Sequence, residues 1–403
     1  MTAPGTREGM TAEPAGRHRI TAMPNAHSHA FQRGLRGKGE RPGPGAGYAG
    51  EPAAPGGGGG DFWSWRAAMY RLAASLDPNS MHDEAMASFA EMVEAGYGAV
   101  GEFHYIHHAP DGSPYDDPAE MGIAVAEAAI AGGMFIVLLP AAYARAGWDG
   151  GDLEPQDAQW RFCDPDVDAF LERVERLREW ADARPTVQVG VAAHSVRAVP
   201  ASWLERIAAY AEQHGLVRHV HACEQKREVD ECLAEHGCSP IALLDRTGFL
   251  GPRTSVIHGI HIGDEDVRLL AATQTVVVSC PTTEGNLGDG HFPALRYRDA
   301  GVRIAIGSDS QVRIDPFEEA RELETGARRQ GQTREGLLAA YGDLWDELVR
   351  NGAASLGLDT GTLPLVELDL SHPSLRGVAP EVLPLAIATC ATADAVAGRV
   401  QGD

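Results

Sequence analysis

Short apolar runs of strand character recur eight times along this chain, at Ile20–Asn25, Ala99–Tyr105, Met134–Pro140, Val187–Ala193, Val217–His221, Ser255–His258, Thr275–Cys280 and Val302–Gly307. Amphipathic helical segments lie between them, such as Asp83–Ala95, Asp166–Ala181, Ala201–His214 and Lys226–Glu235. This repeated alternation predicts an α/β fold, a (β/α)8 TIM barrel. A doubly wound open sheet is the rival, but no G-x-G-x-x-G follows the first run. The length of 403 residues leaves room for one such barrel with an appendage.

A barrel carries its chemistry at the C-terminal ends of its strands. The unusual polar residues of this chain stand there. The first run ends in Asn25-Ala26-His27-Ser28-His29, the second in Glu102-Phe103-His104-Tyr105, and the fourth in His194-Ser195-Val196-Arg197. The fifth ends in His219-Val220-His221-Ala222-Cys223-Glu224, the sixth in His258-Gly259-Ile260-His261, and the eighth in Ser308-Asp309-Ser310. A single histidine in such a place reads as a satisfied core residue. Clusters at six strand ends together do not.

Side chains alternate along a strand with period two, so His27 and His29 face the same way. Both can reach one ion near the barrel axis. His221 adds a third imidazole and Asp309 a hard carboxylate. Three nitrogen donors and one oxygen donor suit Zn²⁺ or Fe²⁺, with a position open for water. Such an ion lowers the pKa of its water toward neutrality. Asp309 can both ligate and deprotonate, and His258 can stabilise a developing tetrahedral state. Glu224, three residues after His221, can protonate a leaving nitrogen. The competing reading of Glu224 is a helix N-terminal carboxylate favoured by the macrodipole. The predicted chemistry is metal-assisted hydrolysis of a C–N bond.

This pattern resembles the amidohydrolase superfamily, some of whose members hold two metals bridged by a carbamylated lysine on the fourth strand. Here Lys and Arg total 34, and only Lys38 and Lys226 are lysines. Neither stands on the fourth run, so a single ion is expected.

Longer motifs narrow the resemblance. PNAHSHAFQRGLRG (24–37), DFWSWRAAMYRLA (61–73), EFHYIHHAPDGSPYDDPAEM (102–121), HSVRAVP (194–200), HVHACEQKREVDECL (219–233), CPTTEGNLGDGHFPA (280–294) and IGSDSQVRIDPFEEARELE (306–324) are similar to formimidoylglutamate deiminases. The likeness covers roughly residues 20–375. It implies hydrolysis of N-formimidoyl-L-glutamate to N-formyl-L-glutamate and ammonia, in histidine degradation. It implies His27, His29, His221 and Asp309 as metal ligands, and Glu224 and His258 as the proton-transfer and electrophilic residues. It places Gln32 against the substrate near the metal, and Tyr105, His194 and Arg197 on its carboxylate ends. Arginine offers a bidentate fork for that purpose. The competing reading of Arg197 is a surface or ion-paired residue. A homodimer is also implied.

Asp and Glu total 57 against 34 Lys and Arg, a net charge of −23. That argues against nucleic acid or an anionic membrane as a partner. It also means that a small anionic amidine substrate must be drawn in by a few local cations such as Arg197. Six scattered cysteines without C-x-x-C, and an N-terminus without an apolar core, predict a reduced, cytoplasmic protein. The most apolar stretch, Ala124–Ala142, is too interrupted to span a membrane.

Residues 1–18 read as a mobile tail without strands, 19–356 as the barrel, and 357–403 as the remnant of a small β domain. In the resembled family the N-terminal segment joins the C-terminal tail in a small β-sandwich, expected here to be reduced or absent. A Gly/Pro-rich insertion occupies 37–60, read as a solvated loop or an active-site loop. Gln311, Cys223 and Gly259-Ile260 depart from the family pattern and are expected to alter the substrate pocket, Gln311 above all. Two further readings follow from these departures. One is a paralogue acting on another amidine, guanidine or aminoheterocycle, and the other is a non-catalytic metal-binding homologue.

Overall fold

In the computed structural model, which describes residues 16–38 and 62–400, the first apolar run divides at Ala22. Arg17–Thr21 joins a small sheet, and Met23–Ser28 is the first barrel strand, β1. The others are Tyr97–His104 (β2), Phe135–Ala142 (β3), Val187–Val189 with Val191–Ser195 (β4, broken at Gly190), Arg218–Ala222 (β5), Thr254–His258 (β6), Val276–Ser279 (β7) and Arg303–Ile306 (β8). They pair in parallel and in chain order from β1 to β8. The predicted barrel is therefore present.

β8 meets β1 through a bridge between Asp309 and Ser28. The Asp309 N–H donates to His27 O at 3.1 Å, and the His29 N–H donates to Asp309 O at 3.0 Å. A Cβ on Gly307 would stand 2.7 Å from His27 O, so glycine lets the two chains approach. This seam brings His27, His29 and Asp309 together from opposite ends of the barrel sequence.

β3 is buried at every residue after Phe135, because helices cover the barrel outside and side chains fill it within. The outer helices follow ordinary local rules. Pro78–Ala95 begins where the Asp77 side chain accepts the Ser80 N–H and Pro78 takes the first position, some residues before the Asp83 expected from periodicity. Met81, Ala85, Phe89 and Met92 form its buried stripe, and Gly96 ends it at φ 101°.

Arg17–Thr21 runs antiparallel to Leu365–Asp369, which pairs in turn with Val396–Val400. The small β domain thus stands as three strands. Arg17 and His18 are strand residues and not tail, because their partner lies at the other end of the chain, out of reach of local pattern. Trp345 links this sheet to the barrel by donating its Nε1–H to Thr21 O at 2.9 Å. The rest of the expected tail, as far as residue 15, and the insertion from residue 39 lie outside the described residues. Among the described residues no helix is long and apolar enough to cross a membrane.

Candidate active site

The alternation of β1 turns His27 and His29 inward and sends Ser28 away, where its hydroxyl donates to Glu102 Oε2 at 2.6 Å. His27 Nε2 lies 3.1 Å from His221 Nε2, and His29 Nε2 lies 3.4 Å from it. Asp309 Oδ1 is 3.5 Å from both His27 Nε2 and His29 Nε2. Two donors held ~2.0–2.1 Å from a tetrahedral ion stand ~3.3–3.4 Å apart, so these four side chains fit one divalent cation.

The tautomers agree with that reading. His29 Nδ1 is 2.8 Å from Phe103 O, and His221 Nδ1 is 2.9 Å from His194 O. Each ring nitrogen that faces a carbonyl carries the proton, which leaves Nε2 as a lone-pair donor. Burial pulls the His27 imidazole down to about 3 and holds His29 and His221 below the ordinary value too. Burial alone pushes the Asp309 carboxyl up. The His27 hydrogen bond and the charges of His27, His29 and His258 outweigh it and hold Asp309 well below the usual range.

His258 and Glu224 flank this centre. His258 Nε2 lies 3.7 Å from Glu224 Oε1 and 3.7 Å from Asp309 Oδ2. Its Nδ1 is 3.3 Å from Glu284 Oε1, a carboxylate fixed by the Cys280 N–H and the Ser279 hydroxyl. Burial disfavours a charged His258, but Glu224, Glu284 and Asp309 overcome it and push the ring up to about 10. Burial raises Glu224 above the ordinary carboxylate value, against the pull of His258. The raised carboxyl and the raised imidazole stand side by side as the proton-handling groups next to the centre. His258 (φ 73°), Asp309 (φ 47°), Cys223 (φ 59°) and Gln311 (φ 61°) all take the left-handed conformation at these strand ends. Backbone strain in non-glycine residues concentrates where chemistry is done.

All the expected site residues meet here. His27 lies beneath, fully buried, and the others line one cleft of about 840 Å³. Gln32 donates to Tyr105 Oη at 3.0 Å. The His194 ring packs edge-on against Tyr143 and Tyr105. Arg197 donates to Ala146 O at 2.7 Å and also hydrogen-bonds Tyr143.

Sequence reasoning missed Arg66, Tyr70, Tyr143 and Glu228, which line the same cleft. Arg66 and Tyr70 share one face of the helix Phe62–Ser75, four residues apart, and Arg66 Nε donates to Tyr70 Oη at 2.6 Å. A cation and a phenol at that spacing were a readable signal. Tyr143 follows the end of β3, one strand end where no polar cluster drew attention.

The family departures do not shape the cleft wall. Gln311 is fully buried behind the site, where its amide donates to Ser28 Oγ at 2.9 Å and Asp309 O at 2.7 Å and its Oε1 accepts from Ser308 at 2.8 Å. It braces the β1–β8 seam, which corrects the expectation that it alters the pocket. Cys223 is also fully buried. Gly259 (φ 61°) accepts from Tyr297 Oη at 2.5 Å, and a Cβ there would stand 2.6 Å from that hydroxyl. Neither lysine is near the centre: Lys226 pairs with Asp230 on the surface, and Lys38 donates to Gly34 O.

The amidohydrolase family model matches residues 21–363. A formimidoylglutamate deiminase of Pseudomonas aeruginosa is 36% identical over 386 residues, 92% of this chain and 81% of that protein. A crystal structure of an amidohydrolase from Brucella melitensis superposes with a TM-score of 0.83 at 33% identity, covering 95% of this chain and 86% of that one. An adenosine deaminase from Xanthomonas campestris with bound zinc shares the fold, with a TM-score of 0.75 at 21% identity over 96% of this chain and 79% of that one.

Proposed function

Because this chain belongs to the amidohydrolase family and is a hydrolase of C–N bonds, we propose that it deiminates N-formimidoyl-L-glutamate, giving N-formyl-L-glutamate and ammonia. The observation that carries the reading is one cleft with a three-histidine, one-aspartate centre at its floor and Arg66, Arg197, Tyr70 and Tyr105 on its walls. An amidine at one end of a molecule and carboxylates at the other match that division.

A divalent ion held by His27, His29, His221 and Asp309, zinc in this proposal with Fe²⁺ the alternative, supplies the Lewis acidity that brings a water pKa toward neutrality. Asp309 takes the proton from the water that attacks the amidine carbon. His258 presents its Nε2–H toward the charge that develops there, in a dry site where such donors count most. Glu224 gives its proton to the terminal nitrogen as the water oxygen adds, the proton held by Asp309 then passes to the same nitrogen, and ammonia leaves while the new hydroxyl returns its proton to Glu224. The atoms balance: one water enters, and the C=N bond becomes C=O. Arg197 and Arg66 hold the carboxylates together with Tyr105 and His194, and Gln32 contacts the substrate near the centre. The homodimer belongs to the same proposal.

Ammonia release from N-formimidoyl-L-glutamate tests this directly. Zinc-loaded protein should release it, and chelated protein should not. Absence of release from fully loaded protein overturns the reading.

A further inference from the structure

Glu228 lies in the first turn of the helix Lys226–His236 and lines the cleft, 8% exposed. Its Oε2 accepts the Glu224 N–H at 3.3 Å, an ordinary task for a glutamate at a helix start. Its other oxygen is not explained by that task. Oε1 is buried and has no hydrogen-bond partner. A buried oxygen left alone is costly, and a binding site is where that cost is met by a ligand.

We propose that Glu228 is a substrate-binding residue, which donates its carboxyl O–H to a substrate carboxylate oxygen beside Arg197. This rests on the dicarboxylate reading above and adds a residue to it. The charged groups facing Glu228 are Glu224 after β5, Arg197 after β4 and His258 at the end of β6, with Cys223 beside Glu224 and Cys232 on its own helix. Burial and the Glu224 charge push Glu228 up to about 8, against the pull of Arg197, the Glu224 N–H and His258. At neutral pH it is therefore a donor. Above about pH 8 it becomes an anion facing an anion, so dicarboxylate affinity falls as pH rises.

The test is calorimetric titration of the zinc-loaded protein with N-formyl-L-glutamate at about pH 6.5 and about pH 9.5. The wild-type Kd should rise by about tenfold or more between the two. Glu228→Gln, whose amide donates at every pH, should hold its Kd within about threefold. Glu228→Ala should bind weakly at both. A Glu228→Gln protein with the wild-type pH loss, a wild type without that loss, or no dicarboxylate binding at all overturns the assignment. Normal pH-dependent binding without ammonia release would overturn the formimidoylglutamate reading and leave Glu228 in place.

Discussion

His27 Nε2 and His221 Nε2 lie 3.1 Å apart, with His27 fully buried and His221 nearly so. Two buried imidazole nitrogens this close, beside the Asp309 carboxylate, form a ready-made cation site. The pair is therefore a statement about stability as well as catalysis. Zinc at a free concentration a thousandfold above its Kd should stabilise the fold by about 4 kcal/mol. Scanning calorimetry should show a Tm several degrees higher for loaded than for chelated protein, and His27→Ala should abolish the difference. Equal Tm values for loaded and chelated wild type would contradict the site.

Glu224 stands 3.7 Å from His258 and is not needed as a ligand. Glu224→Gln should keep the zinc content and the KM while kcat falls by roughly 10²–10⁴. Elemental analysis and steady-state kinetics on the same sample check both halves. An unchanged kcat would remove the general-acid assignment.

Arg197 is anchored by Ala146 O and Tyr143, and in the proposed reading its guanidinium meets a substrate carboxylate. Arg197→Met should raise KM by roughly 10–100-fold, the worth of one charge-assisted hydrogen bond, with a smaller change in kcat. Arg197→Lys should not restore it, because an ammonium lacks the planar fork.

Asp164 pairs both oxygens with Arg173, at 2.6 and 2.5 Å, with neither side chain more than 3% exposed. The Asp164 N–H also donates to Tyr143 O, which ties the pair to the cleft wall. Burial raises the Asp164 carboxyl, but Arg173 and His108 hold it below the ordinary value. A carboxyl lowered by folding stabilises above its unfolded pKa of about 3.9, and that stability is lost as pH falls through the folded value. Asp164→Asn leaves Arg173 buried and unpaired, which should cost about 3–5 kcal/mol at neutral pH. Urea titrations at about pH 7 and about pH 3 should show that the gap between variant and wild type narrows toward acid.

The centre was legible because a TIM barrel gathers strand ends, and strand-end residues are read from short local patterns. His27, His29, His221, His258 and Asp309 needed only the strand period and the fold. Arg17–Thr21 was not legible, because an antiparallel pairing with Leu365–Asp369 leaves no local trace. Arg66 and Tyr70 escaped because their helix sits outside the βα repeat, beyond the Gly/Pro-rich stretch. Gln311 was noticed for its type and misread for its place. Two residues after an inward Asp309, the left-handed turn carries it behind the seam.

Arg66 and Arg197 line the cleft that holds the proposed hydrolytic centre. The direct measurement is kcat/KM on zinc-loaded protein for N-formimidoyl-L-glutamate against unsubstituted formamidine and 5′-methylthioadenosine. The dicarboxylate should be preferred by about 10³ or more, from two charged contacts at roughly 2 kcal/mol each. Comparable values for formamidine, or a preference for the nucleoside, would contradict it.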